Sequence, residues 1–277
     1  MRIDLHTHTT ASDGLLSADA LVELAKHAGV TVLAVCDHDS TESVDAAIAA
    51  GVSLGVEVIP AVEINTDVET FEVHMLGYYL DHRQGWFQQY LETMRDGRVD
   101  RAERMVGKLN SLGIALDFAQ VQALAQGAIG RPHVARALVE AGAVQSTEEA
   151  FERYIGRSGP AYVERLKVTP QEAIQVIRKA NGIPVLAHPG WGIRDEMIPS
   201  LVEAGLEGLE VYYPDHAPDT VAHWLGIATQ FGLLTTGGTD FHGGTLATRV
   251  AVGSQYVPPE VVERLKARYA AKQAART

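Results

Sequence analysis

Short apolar runs alternate along this chain with segments whose apolar residues recur at helical spacing, and this alternation limits the possible folds more than any other feature. "RIDLH" reads as a first strand, and "SADALVELAKHAGV" as an amphipathic helix with Ser17 as its N-cap. "TVLAVCDHD" is a second strand, followed by a helix near "TESVDAAIAAGVSLG". "VEVIPAVEIN" and "FEVHMLGYYL" are further strands, and "QEAIQVIRKANG" is a helix before the strand "IPVLAHPG". "LEGLEVYYPDH", "LLTTGGTDFHG" and "RVAVGSQYV" complete the set. Repeated strand–helix alternation predicts a mainly parallel sheet. About seven such strands in 277 residues predict an α/β fold closed, or nearly closed, into a barrel.

The rhythm breaks between Gln84 and Val168, where no buried strand is legible. "FQQYLETMRDGRVDRAERMVGKLNSLG", "FAQVQALAQG", "PHVARALVEAG" and "STEEAFERYI" all read as helices. Residues 1–83 and 169–277 are therefore expected to form the barrel, with 84–168 a small helical subdomain inserted between two of its strands.

The strand ends carry an unusual density of ligand chemistry. His6 and His8 are two apart, so on a strand both face one side, and Asp13 follows in the next loop. The second strand ends in Asp37, His38 and Asp39, the third at Glu63, and the fourth contains His74. "AHPG" supplies His188, and "GGTDFHG" supplies Asp240 and His242. In barrels of this kind the C-terminal strand ends converge on one mouth. Imidazole and carboxylate donors without thiolate suit Mn²⁺, Zn²⁺ or Fe²⁺, of which Mn²⁺ is expected here. At about four protein groups per ion, these donors serve two or three ions, with Glu63 as the expected bridging carboxylate.

Composition excludes several functions. The net charge of −12 argues against a general polyanion-binding surface, and hence against stable binding of duplex nucleic acid. A phosphate-bearing small substrate remains compatible, because bound cations reverse the local field. No apolar run approaches the roughly 20 residues that span a bilayer, and no secretory signal is visible, so a cytoplasmic protein is expected. The single cysteine, Cys36, excludes an internal disulfide and reads as a small core residue. There is no G-x-x-x-x-G-K phosphate loop and no identifiable Ser-His-Asp arrangement.

Taken in order, "DLHTHTTASDG", "CDHD", "VEI", "VHMLGY", "AHPG" and "GGTDFH" resemble the motifs of the PHP (polymerase and histidinol phosphatase) family. The resemblance implies a distorted (β/α)7 barrel, a di- or trinuclear metal centre and phosphoester hydrolysis. It implies that His6 and His8 bind one metal with Glu63 and Asp240, and that Glu63 bridges to an ion held by His74 and His188. Asp13, His38 and His242 would hold a third. The expected catalytic groups are Asp13, His38, Glu63, Asp240 and His242. Asp37 and Asp39 fall on no ligand position; Asp39 is expected to orient a ligand imidazole. Cys36 stands where threonine is usual.

Within the family the chain most resembles the bacterial 3′,5′-nucleoside bisphosphate phosphatases and related 5′-to-3′ oligonucleotide-trimming enzymes. "DGRVDRAERM" resembles a helix that supplies arginines to phosphate, implying Arg98 and Arg101. "GRPHVARAL" implies Arg131 and His133. Spacing alone leaves another reading open: Arg95, Arg98, Arg101 and Arg104 recur among acids as they do on a solvated helix face. The expected reaction is metal-assisted hydrolysis of a nucleotide phosphate monoester. A 5′-to-3′ exoribonuclease acting on short 5′-phosphorylated oligonucleotides, a histidinol-phosphate phosphatase and a non-catalytic metal or nucleotide sensor are the alternatives. A metal-bound water, Asp13, Asp39 and His216 are candidate proton donors to the leaving group. Glu210, Tyr212 and His216 are placed beyond a strand end, with loop contacts expected ahead of support for the ligands or contact with the substrate rim. His27, His82 and His223 are expected to face solvent, and Trp191 to pack in the core rather than border a base pocket.

Overall fold

The computed structural model describes residues 1–68, 71–164, 167–190, 193–243 and 250–276. Seven strands lie side by side in sequence order: β1 (Ile3–Thr7), β2 (Val32–Val35), β3 (Glu57–Asp67), β4 (Glu72–Tyr78), β5 (Ile183–Leu186), β6 (Gly208–Tyr212) and β7 (Leu234–Gly237). A parallel bridge between Thr7 and Phe241 joins the two ends, and the His8 N–H donates to the Phe241 carbonyl at 2.8 Å. The result is the expected nearly closed α/β barrel. Gly238 makes the closure sterically possible, because a Cβ there would lie 2.3 Å from the His6 nitrogen.

One strand departs from the parallel expectation: β4 pairs antiparallel with both β3 and β5. Its link to β3 is too short for a crossover, so only a hairpin can form. His74 therefore lies near the start of its strand rather than the end, and the reversal is what brings it to the mouth. A second correction concerns "RVAVGSQYV". Residues 250–257 form no strand. Gly253 sits at φ 68° in a turn, its N–H donates to the Asp4 carboxylate, and Val252 and Val257 are buried without pairing.

The helices follow the sequence closely. α1 (Ala18–His27) starts where the Ser17 hydroxyl accepts the Ala20 N–H, and α2 (Val44–Leu54) ends at Gly55 in the left-handed region. Inside the barrel, Ile3, Leu5, Val32, Ala34, Cys36, Ile59, Ala61, Leu76 and Tyr78 pack into one cluster. Val261, Val262 and Leu265 of α10 (Pro259–Ala274) join that cluster. The alternate positions Val62, Ile64, Val73 and Met75 face outward, against α7 (Pro170–Lys179), α8 (Ile198–Glu203) and α9 (Pro218–Phe231). Cys36 is fully buried, and burial pushes its thiol pKa up. Trp224 is buried in the outer cluster, whereas Trp191 lies outside the described residues.

Between β4 and α7 the chain forms α3 (Gly85–Ser111), α4 (Phe118–Leu124), α5 (Arg131–Glu140) and α6 (Thr147–Ala150). α6 continues into a π-helical turn, Phe151–Ile155. These helices bury a cluster of their own around Met105, Leu109, Val121, Val134, Leu138 and Ile155. No described helix is long and apolar enough to cross a membrane.

The return to the barrel at α7 is fixed by a capping box. Thr169 accepts the Glu172 N–H at 3.2 Å, and Glu172 accepts the Thr169 N–H at 2.7 Å. Thr169→Ala is expected to cost about 1 kcal/mol, lowering the thermal midpoint by roughly 2–4 °C in a scanning calorimeter.

Candidate metal centre

Glu63 lies at the centre of the barrel mouth and is fully buried. Its Oε2 is 3.2 Å from His6 Nε2, 3.3 Å from His8 Nε2 and 3.1 Å from His38 Nδ1. Its Oε1 is 2.9 Å from His74 Nδ1 and 3.3 Å from His188 Nε2. Asp240 Oδ1 approaches the same face, 3.0 Å from His8 Nε2 and 3.4 Å from His6 Nε2. On the outer side Asp13 reaches His242 Nε2 at 3.2 Å and His38 Nε2 at 3.8 Å.

The donor atoms fall into three groups within each of which every atom lies within 4.8 Å of the others. His6, His8, Glu63 and Asp240 form the first. His8, Asp13, His38 and His242 form the second, and His38, Glu63 and His74 the third. Eight of the nine expected ligands fall in these groups, and His8, His38 and Glu63 each reach two of them. His188 lies beside them, its Nε2 3.3 Å from Glu63 Oε1 and its ring 5.2 Å from that of His74, without sharing a compact group with His74. His8 Nε2, Asp13 Oδ1, His38 Nδ1 and Asp240 Oδ1 are buried and make no hydrogen bond. Inward-facing lone pairs without donors are what divalent cations require. The cluster is able to bind metals.

Electrostatics show the same balance. Burial opposes charge on Asp13, Glu63 and Asp240, yet the neighbouring imidazoles hold all three well below the usual carboxylate range. Burial likewise disfavours imidazolium at His74 and His242, but Glu63 raises the first to about 9, and Asp13 and Asp240 raise the second to about 10. At His38 burial wins over Glu63 and Asp13, and its pKa falls to about 3.

The backbone is strained where it serves the site. Asp39, His188 and Asp240 hold φ of 50°, 28° and 54°. Non-glycine residues adopt such angles at a cost of roughly 1–3 kcal/mol each, and here the sharp turns swing strand-end side chains into the mouth.

The surrounding residues correct several expectations. Glu210 is not beyond a strand end: it lies within β6 and is fully buried. Its Oε1 is 3.0 Å from His6 Nδ1, and its Oε2 accepts the His188 N–H at 2.8 Å. It therefore orients one imidazole and fixes the backbone of another. The signal was present: Glu210 sits between Leu209 and Val211 in the middle of an apolar run. Tyr213, also missed, donates its hydroxyl to Asp240 Oδ2 at 3.1 Å. His216 is a loop contact as expected. Its Nδ1 donates to the Val211 carbonyl and its Nε2 accepts the Gly190 N–H. Asp39 orients an arginine rather than an imidazole, with Oδ2 2.6 Å from Arg98 Nη2. Asp37 organises the β1 loop, taking the Thr9 N–H and the Thr9, Ser12 and Ser43 hydroxyls. His82 and His223 pair with Asp45 and Asp195, and His27 is exposed.

A cavity of about 430 Å³ opens over the cluster. Asp13, His38, His74, His188, Asp240 and His242 line one side, and Asn65, Glu72, Arg98, Arg101, Arg131 and Phe151 line much of the rest. The arginines of α3 separate by their angle around the helix. Arg104 makes the exposed i,i+4 pair with Asp100, whereas Arg98 reaches Asp39 and Asn65. Arg101 is buried and donates to the Val163 carbonyl. His133 is not among the residues lining the cavity: it is buried behind the wall, its Nδ1 accepting the Gly130 N–H at the start of α5.

A seven-stranded barrel with a histidine–carboxylate cluster at its mouth is the architecture of a metal-dependent hydrolase. Residues 4–156 match the PHP domain. A 5′-3′ exoribonuclease of Haemophilus influenzae is 36% identical, over 87% of this chain and 90% of that protein. A 3′,5′-nucleoside bisphosphate phosphatase of Chromobacterium violaceum is 32% identical over 93% of each chain. A crystal structure from Bifidobacterium adolescentis, put forward as a metal-dependent phosphoesterase, superposes with a TM-score of 0.88 at 31% identity, covering 96% of both chains. The chain belongs to the PHP family and is a metal-dependent phosphoesterase.

Glu210→Gln keeps the shape of the side chain but removes the charge that fixes His6. Metal affinity, measured by isothermal titration, is expected to fall about 10–100-fold while the thermal midpoint of the metal-free protein changes little.

Proposed function

We propose that the chain removes the 3′-phosphate of a 3′,5′-nucleoside bisphosphate in the cytoplasm, using two or three Mn²⁺ ions. One observation carries this reading: Arg98, Arg101 and Arg131 line the same cavity as the histidine–carboxylate cluster. One phosphate can sit at the cluster while the other meets guanidinium groups suited to phosphate oxygens. Histidinol phosphate has no second phosphate for these arginines. A cavity of about 430 Å³ suits a single nucleotide. A 5′-phosphorylated oligonucleotide would use the same groups, with the next phosphate in the chain at the cluster, and the names of the relatives cover both substrates.

We assign the ligand roles to His6, His8, Asp13, His38, Glu63, His74, His188, Asp240 and His242, with Glu63 shared. Divalent ions among these donors supply positive charge to the phosphoryl oxygens and acidify water for attack on phosphorus. The protein's own groups do the positioning. Glu210 holds His6, and Tyr213 occupies Asp240 Oδ2 so that Oδ1 faces His6 and His8. The helical segment, read as the insertion 84–168, brings Arg98, Arg101 and Arg131 to the distal phosphate; binding energy there orients the reacting phosphate. Pro132, Phe151 and Ile193 give the cavity an apolar wall beside the sugar and base. Asp13 is held ionised, and both Asp39 and His216 are committed to other partners. The leaving oxygen therefore takes its proton from water in the open cavity.

Phosphate release with defined Mn²⁺ tests this directly. 3′-Phosphoadenosine 5′-phosphate is expected to exceed 3′-AMP and a 5′-phosphorylated dinucleotide in kcat/KM. Asp240→Asn and chelation should each abolish turnover. Arg98→Ala should raise KM for the bisphosphate about 10-fold or more, with little effect on 3′-AMP. Equal kcat/KM for the bisphosphate and 3′-AMP would overturn the reading.

A further inference from the structure

Two of the cavity arginines face carboxylates, and the two pairs are built differently. Arg98 donates from Nε to Asp39 Oδ2 at 2.8 Å, with Nη2 2.6 Å from the same oxygen. Asp39 is buried, and its Oδ1 also accepts the Asn65 N–H at 3.3 Å. The Asp39 carboxylate is thus locked to the backbone and holds Arg98 in place.

Arg131 donates from Nη2 to both oxygens of Glu72, at 2.8 and 2.7 Å. Glu72 is the first residue of β4, beside the β3–β4 connection, and its side chain is 21% exposed on the cavity wall. Arg131 has a second anchor, since its guanidinium carbon lies 5.3 Å from the centroid of the Phe151 ring. The Phe151 ring thus gives the guanidinium a contact that does not involve Glu72. A carboxylate bound to a guanidinium through both oxygens presents the same acceptor pattern as two phosphate oxygens. Glu72 Oε2 also lies 3.9 Å from His74 Nε2, so its carboxylate stands between the arginine and the cluster, on the wall that an incoming anion would meet.

We propose that Glu72 is a built-in competitor for the distal-phosphate seat. In the ligand-free protein its carboxylate occupies Arg131, and an incoming phosphate must displace it. Substrate and product carry the same distal 5′-phosphate, so this competition lowers affinity for both and favours release of the product. The inference rests on reading Arg131 as a phosphate ligand. It assigns the neighbouring acids opposite roles, Asp39 positioning and Glu72 competing.

Calorimetric titration with 5′-AMP tests the sign. The full chain is used both loaded with Mn²⁺ and stripped with chelator, the stripped arm isolating the arginine seat. E72Q is expected to tighten 5′-AMP binding about 3–10-fold in both arms. D39N is expected to weaken it. R131M in the E72Q background should lose the gain. Unchanged or weaker binding in E72Q would show that Glu72 positions Arg131 and would overturn the proposal. So would a gain in both E72Q and D39N, which would reduce the effect to general removal of negative charge. If R131M alone binds 5′-AMP as tightly as the native protein, Arg131 is not a phosphate ligand, and the underlying reading of that residue fails with the inference.

Discussion

A single buried carboxylate sets the architecture of the barrel mouth. Glu63 has no access to solvent and meets five imidazoles, from His6, His8, His38, His74 and His188. A carboxylate cannot be kept ionised in such a place without compensating positive charge. Protons on the imidazoles supply that charge in the absence of ions, and divalent cations can replace them. The hydrogen-bond partners of Glu210 and Tyr213 and the left-handed backbone at Asp39, His188 and Asp240 are therefore parts of one problem. Each holds a donor, or the chain carrying it, where it faces the common centre.

The helical segment answers a different problem. The barrel mouth concentrates ligands for cations but offers no fixed positive charge of its own for a second anion. α3 and α5 bring Arg98, Arg101 and Arg131 to the same cavity, and each of these arginines is held by something other than solvent. Asp39 and Asn65 hold Arg98, the Val163 carbonyl accepts from Arg101, and Glu72 and Phe151 meet Arg131. Such anchoring lowers the entropy lost when an anion binds. It also means that an anion reaching Arg131 would meet the Glu72 carboxylate already in place.

The elements were largely legible because periodicity and capping are local. Ser17 as an N-cap, the helix at 170–179 and the strand at 57–67 follow from residues within one turn or one pleat of each other. The gathering of these histidines and carboxylates at the mouth was legible for a related reason, since polar residues at the ends of apolar strands have few structural uses. The failures were long-range. Glu210 was misplaced because its partner His6 is 204 residues away, and its apolar neighbours alone do not say which group it meets. "RVAVGSQYV" has strand composition, but the β1 edge is already met by Phe241 at Thr7, and the chain turns at Gly253. His133 and Arg131 are two residues apart in "RPHV", yet the start of α5 turns one toward its own cap and the other into the cavity.

The sequence by itself determined the strand and helix order, the barrel class, the helical character of residues 84–168 and the identity of the donor atoms. Local propensity and side-chain chemistry act over a few residues, and both are written in the order of the chain. Tertiary structure alone decided the reversal of β4 that brings His74 to the mouth, the sharing of His8 and His38 between donor groups, and which arginines face the cavity. It also decided that Asp39 and Glu72, rather than solvent, meet those arginines. These outcomes depend on closure of a seven-stranded sheet, which sets distances between residues far apart in the chain.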